Sequence, residues 1–156
     1  MGSLRFRRVF NASSIGEPSL PAGFAMRRFV PVLHAREARA LLNDSYATGA
    51  GQVQSFDAWW AALQADAEYD PDLCFVAEDA ETNALAAFAV CWTSAFVKDI
   101  AVSSVYRRRG LGRAMIGTIT SRLAARGFGQ LTLKVVPENI SAIAFYRALG
   151  FEPAEE

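Results

Sequence analysis

The segment Lys98-Asp99-Ile100-Ala101-Val102-Ser103-Ser104-Val105-Tyr106-Arg107-Arg108-Arg109-Gly110-Leu111-Gly112-Arg113-Ala114 constrains this chain more than any other. An apolar run, Phe96 to Val102, reads as a strand and feeds a basic turn that carries Gly110 and Gly112. The turn opens into an amphipathic helix over Leu111 to Arg126, in which Leu111, Met115, Ile119 and Leu123 share one face and Gly127 supplies the stop. The first N–H groups of a helix have no internal acceptor, and the peptide dipoles add positive character there. With no side chain at Gly110 or Gly112, a ligand can approach the backbone, so the turn suits a phosphate or pyrophosphate. The Walker pattern is excluded because no Gly-Lys-Ser/Thr ending is present, and the dinucleotide fingerprint lacks its third glycine. What remains is R-x-x-G-x-G, Arg107 to Gly112.

The flanking sequence reads as alternating strands and helices. Phe24 to Val30 reads as a strand ended by Pro31, and Ala35 to Tyr46 as a helix broken by Thr48-Gly49-Ala50-Gly51. Ser55 is suited to cap a second helix, over Phe56 to Ala67, with a stripe of Phe56, Trp59, Trp60 and Leu63. Cys74 to Glu78 and Leu85 to Trp92 read as a hairpin, Leu131 to Val136 as a strand, and Ile140 to Leu149 as a helix closed by Gly150 and Phe151. The stretch 11–23 is rich in Ser, Gly and Pro, so residues 1–23 are expected to form a flexible arm before a single domain over 24–156. A chain of 156 residues, 52% hydrophobic, fills one core and not two. Sixteen basic and sixteen acidic residues cancel, which gives no electrostatic reason for a nucleic-acid or membrane partner. No apolar run approaches bilayer length and no apolar h-region follows Arg5, Arg7 and Arg8, so a cytoplasmic location is expected. Cys74 and Cys91 fit no zinc spacing; no metal is expected, and both read as buried, reduced thiols.

The run Ile100-Ala101-Val102 through Arg107-Arg108-Arg109-Gly110-Leu111-Gly112 resembles the pyrophosphate-binding motif Q/R-x-x-G-x-G/A of the GNAT superfamily of N-acyltransferases. Asn139-Ile140-Ser141-Ala142-Ile143-Ala144-Phe145-Tyr146-Arg147-Ala148-Leu149-Gly150-Phe151 resembles that family's closing segment, N-x-x-A-x-x-x-Y-x-x-x-G-F. The close resemblance spans about Val97 to Pro153. It implies an α/β (α+β) acyl-CoA N-acyltransferase fold: a central mixed, mostly antiparallel sheet, splayed fourth and fifth strands, and helices on both faces. It also implies acetyl-CoA as acyl donor. Ile100, Ala101 and Val102 would pair with the pantetheine arm as a neighbouring strand does. The amides of Arg108, Arg109, Gly110, Leu111, Gly112 and Arg113 would hold the pyrophosphate, helped by the side chains of Arg107, Arg108, Arg109 or Arg113. Asn139, Ala142 and Tyr146 would line the donor, with Tyr146 as general acid to the departing thiolate.

The base is less evident. Many members of the family carry a Glu on the fourth strand, whereas Ser94-Ala95-Phe96-Val97 holds no carboxylate. Asp99 is the nearest acid, and strand alternation or a bulge decides where it points. Glu78 or a water chain are the alternatives. Tyr146 also reads as a packed helix residue, Asn139 as a helix N-cap, and Trp59 and Trp60 as core residues or as lining of an acceptor pocket. His34, the sole histidine, is not expected in catalysis. The resulting expectation is direct acetyl transfer, in a ternary complex, to a primary amine on a small amine, amino compound or protein. The alternatives are an acyl-CoA-binding sensor or partner module that has lost turnover, and an enzyme using a longer acyl-CoA or an oxygen acceptor. The acceptor depends on Ala35 to Ala67, where the resemblance is weakest; a homodimer is compatible with the family.

Overall fold

The computed structural model describes residues 2–11, 13, 18–47 and 52–155. Among the described residues, seven strands and four α-helices follow in the order β1 (Leu4–Val9), β2 (Phe24–Arg28), α1 (Pro31–Tyr46), α2 (Phe56–Ala65), β3 (Cys74–Asp79), β4 (Leu85–Cys91), β5 (Val97–Val102), α3 (Leu111–Ala125), β6 (Gln130–Val135), α4 (Ile140–Ala148) and β7 (Glu152–Pro153). Strands β2-β3-β4-β5 form one antiparallel sheet, and β6-β1-β7 form another. Among the described residues they are joined by one isolated parallel bridge, between Phe96 and Thr132, beyond which β5 and β6 part. The expected fourth and fifth strands are β5 and β6, and they splay.

The sheet is covered on both faces, which explains the unbroken apolar runs of β3 and β4. Phe75 and Ala77, with Ala87 and Ala89, pack against Leu111, Met115, Ile119 and Leu123 of α3. The alternating set Cys74, Val76, Phe88 and Val90 packs against Ala38, Leu42, Trp59 and Leu63 of α1 and α2. Both cysteines are buried and free. α1 begins at Pro31, four residues before its expected start. Pro31 ends the strand and also opens the helix, because its fixed φ and missing N–H suit a first helical turn. The Val30 amide donates to His34 Nδ1 at 2.9 Å, leaving Nε2 to meet Glu78 Oε2 at 3.2 Å. Ser55 caps α2 by accepting from the Ala58 amide at 3.2 Å.

The expected arm needs correction. Leu4–Val9 is not a free tail but the middle strand of its sheet, in antiparallel register with β6 from Leu4↔Val135 to Val9↔Gln130. Phe6 is 2% exposed within the α3-side core. The strand escapes a sequence reading because arginines at 5, 7 and 8 mask the alternation of Leu4 and Phe6. Arg5 stacks over the Phe96 ring at 5.6 Å, and Arg8 reaches Thr120 Oγ1 at 3.4 Å. The remainder of the expected arm falls partly outside the described residues, as does the helix-breaking segment 48–51.

Truncating Phe6 tests whether this strand belongs to the folded unit. Phe6→Ala is expected to cost about 3–5 kcal/mol, read as a lower urea midpoint with an unchanged slope. A midpoint equal to wild type would return Leu4–Val9 to the status of a dispensable arm.

Candidate active site

The parting of β5 and β6 opens a cleft of about 1050 Å³. One wall is β5 from Val97 to Val102, whose other edge is occupied by β4 through pairs such as Ala89↔Ile100 and Phe88↔Ala101. The opposite wall is Leu133 to Val136. At Ile100–Val102 the cleft-side edge of β5 therefore offers unpaired backbone groups, as an edge strand does.

One end of the cleft is the glycine turn. Gly110 caps α3 with φ 85°, a left-handed conformation that glycine adopts without steric cost. Leu111, Gly112 and Arg113 follow as the first residues of α3, with N–H groups that no helical carbonyl can reach, and all three line the cleft. A Cβ on Gly112 would sit 3.0 Å from Phe145 Cζ, so this glycine permits the close approach of α3 to α4. Tyr106 anchors the turn: its hydroxyl donates to Asp79 Oδ2 at 2.9 Å and its ring meets Phe24 edge-on at 5.3 Å. Arg107, Arg108 and Arg113 line the cleft, whereas the Arg109 side chain lies over the Tyr106 ring at 5.7 Å and does not. The Tyr106 face holds the guanidinium of Arg109.

The middle of the cleft gathers the closing segment. Asn139 caps α4 by accepting from the Ala142 amide at 3.1 Å, and both residues line the cleft. The cap and the lining roles coexist. Tyr146 is 9% exposed, packed edge-on against Phe145 at 5.1 Å and Phe151 at 5.4 Å. Its hydroxyl is engaged by no other described residue, and the side chain reaches the cleft. Burial pushes its pKa up to about 12, which keeps the phenol protonated across neutral pH.

The far end holds Asp99. The register of β4 on β5 passes from Cys91↔Val97 to Val90↔Asp99, so Lys98 is the extra residue of a bulge. Asp99 is 7% exposed and lines the cleft. Its Oδ1 accepts a short hydrogen bond from the Tyr46 hydroxyl at the end of α1, and its Oδ2 meets Lys98 Nζ at 2.8 Å. Burial and the Asp99 charge raise the Tyr46 pKa, so this phenol acts as a donor. Arg39, Ser45, Gln52 and Gln54 complete this end. Glu78, the alternative acid, lies outside the cleft in contact with His34 and Arg27. Trp59 is core, and neither Trp59 nor Trp60 lines the cleft. The sequence reading missed Tyr46, Arg39, Lys98 and Phe145. Helical spacing had assigned Tyr46 to the buried face of α1; its position at the last helical residue is what lets the hydroxyl reach the cleft.

Among the described residues no helix is long and apolar enough to cross a membrane. Residues 36–151 match the model of the acetyltransferase (GNAT) family. The bS18-alanine N-acetyltransferase of Escherichia coli is 39% identical over 77 residues, which cover 47% of this chain and 52% of that protein. A mycothiol acetyltransferase of Saccharomonospora viridis is 29% identical over 165 residues, covering 94% of this chain and 53% of that protein. The chain thus spans about half the length of these curated relatives. A GCN5-related N-acetyltransferase from Sphaerobacter thermophilus shares the fold at a TM-score of 0.82 and 19% identity, over 97% of this chain and 48% of that one. The solved S18-alanine N-acetyltransferase of Escherichia coli aligns at a TM-score of 0.65 and 26% identity, over 85% of this chain and 79% of that one. With the family's splayed strands, glycine turn and closing tyrosine all in place, this chain belongs to the GNAT acetyltransferase family.

Proposed function

We propose that the chain transfers an acetyl group from acetyl-CoA directly to a primary amine. The observation that carries this reading is the convergence of three features on one cleft: the open helix start at Gly110–Arg113, the free edge of β5, and the Asp99 and Tyr146 side chains. The N–H groups of Leu111, Gly112 and Arg113 receive the pyrophosphate, with Arg107, Arg108 and Arg113 adding charge. Ile100–Val102 receive the pantetheine arm by backbone pairing. Those groups place the thioester between Asp99 and Tyr146.

Asp99 takes the proton that the attacking amine must lose, while Tyr46 and Lys98 fix its two oxygens. Tyr146 donates a hydrogen bond and then its proton to the sulfur as the C–S bond breaks. At about 12 it is a weaker acid than a thiol, so much of its effect lies in the hydrogen bond to the developing thiolate. Both ionisable partners of an amine-for-thiol exchange therefore flank one cavity, which favours turnover over a sensor that only binds the donor.

Two measurements test this reading. Acetyl-CoA-dependent thiol release across a panel of amines should appear in wild type. It should fall about 100-fold or more in kcat for Tyr146→Phe and for Asp99→Asn, with the KM for acetyl-CoA little changed. Unchanged kcat in a folded variant would remove that residue from the chemistry. Gly112→Trp should weaken acetyl-CoA binding by more than about tenfold, because even a Cβ there would sit 3.0 Å from Phe145 and an indole has no room beside it. Unchanged affinity by calorimetry would move the pyrophosphate elsewhere.

A further inference from the structure

The acceptor end of the cleft contains a buried cation that forms no ion pair among the described residues. Arg39 is 2% exposed yet lines the cleft. Its guanidinium donates from Nε to Asn43 Oδ1 at 2.9 Å, from Nη1 to Gln54 Oε1 at 3.3 Å, and from Nη2 to the Gln52 carbonyl at 3.3 Å. All three acceptors are neutral. Arg39 belongs to no ion pair among the described residues, and the nearby carboxylate of Asp99 is bound to Lys98 instead. A buried charge is costly unless an opposite charge meets it. Burial accordingly lowers the pKa of Arg39, only partly offset by Asp99 and Tyr46. Lys98 and Arg39 against Asp99 leave this end of the cleft with an excess positive charge.

The position of that cation bears on the substrate. Arg39 lies 5.7 Å from the centre of the Tyr46 ring, and the hydroxyl of that ring holds Asp99, where the amine would lose its proton. The Trp59 ring, 5.5 Å away, fixes the guanidinium from the core side. A guanidinium has five N–H donors, and three are engaged by described residues, leaving two that no described residue takes. A planar fork of this kind matches a carboxylate.

Building on the acetyl-transfer reading above, we infer that the acceptor is a small amino acid-like compound whose carboxylate pairs with Arg39 while its amine faces Asp99. Because Arg39 lies 5.7 Å from the centre of the ring whose hydroxyl holds Asp99, amine and carboxylate are separated by only a few bonds. An amino-terminal peptide, whose first carbonyl is a neutral amide, leaves Arg39 uncompensated and is the poorer substrate.

The test is the rate of thiol release from acetyl-CoA with matched acceptors: amino acids with one to four carbons between amine and carboxyl, each beside its carboxamide. Wild type should prefer at least one acid over its carboxamide by about tenfold or more in kcat/KM, with the difference mainly in KM. Arg39→Gln should bring that ratio to within about twofold by slowing the acid and sparing the amide, and Arg39→Lys should keep part of it. Equal turnover of acid and carboxamide by wild type would overturn the inference and leave acetyl transfer standing. An acid preference that persists in a folded Arg39→Gln protein would also overturn it. Absence of thiol release with every acceptor would instead sink the transferase reading and this inference with it. Should Arg39→Gln fail to fold, the wild-type ratio and the Arg39→Lys variant decide the matter.

Discussion

Everything at this site depends on β5 and β6 touching once and then parting. Two neighbouring parallel strands would ordinarily satisfy each other's backbone groups along their length. Here one bridge, Phe96 to Thr132, is followed by divergence, and the free edge of β5 becomes one wall of a cleft. The opening is held from both sides. β4 fixes β5 in register from Val102 back to Val97, and β1 fixes β6 along all six of its residues. The N-terminal strand therefore supports the site, although it lies two strands away from β5. The same divergence lets the start of α3 and the side of α4 reach into one cavity, where Gly112 and Phe145 set how close they come.

The polar groups of the cleft are ordered by what restrains them. Asp99 is aimed by the bulge at Lys98 and held by Tyr46, so a carboxylate reaches the cleft without the family's usual strand Glu. Tyr146 is restrained by two aromatic neighbours and has no competing hydrogen-bond partner among the described residues. Arg39 is clamped between the Tyr46 and Trp59 rings and neutral oxygens from Asn43, Gln52 and Gln54. Those contacts also fasten the segment before α2 onto α1, so the local fold there rests on this side chain.

The glycine turn and the closing segment were legible in the sequence because they depend on local features. The turn from Arg107 to Gly112 and the segment from Asn139 to Phe151 each encode a backbone shape and a few side chains within one stretch. Tyr146 and Asn139 line the cleft, whereas Arg109 lies over the Tyr106 ring. The cluster of Arg39, Tyr46 and Asp99 was not legible, because these side chains meet only through tertiary packing of α1 across β5. The orientation of Asp99 turned on a one-residue bulge, which leaves no mark on apolar periodicity. β1 was missed for a similar reason: its partners stand more than a hundred residues away, and its arginines hide a two-residue alternation.

The most direct measurement is amide hydrogen exchange, resolved by residue, on the whole chain with and without acetyl-CoA. Strong added protection at Ile100–Val102 and at Leu111–Arg113, with β2 and β3 unchanged, is the expected result for a donor lying in the splay with its pyrophosphate on the helix start. Binding of acetyl-CoA that leaves those amides unprotected, or that protects another edge of the sheet instead, would contradict it.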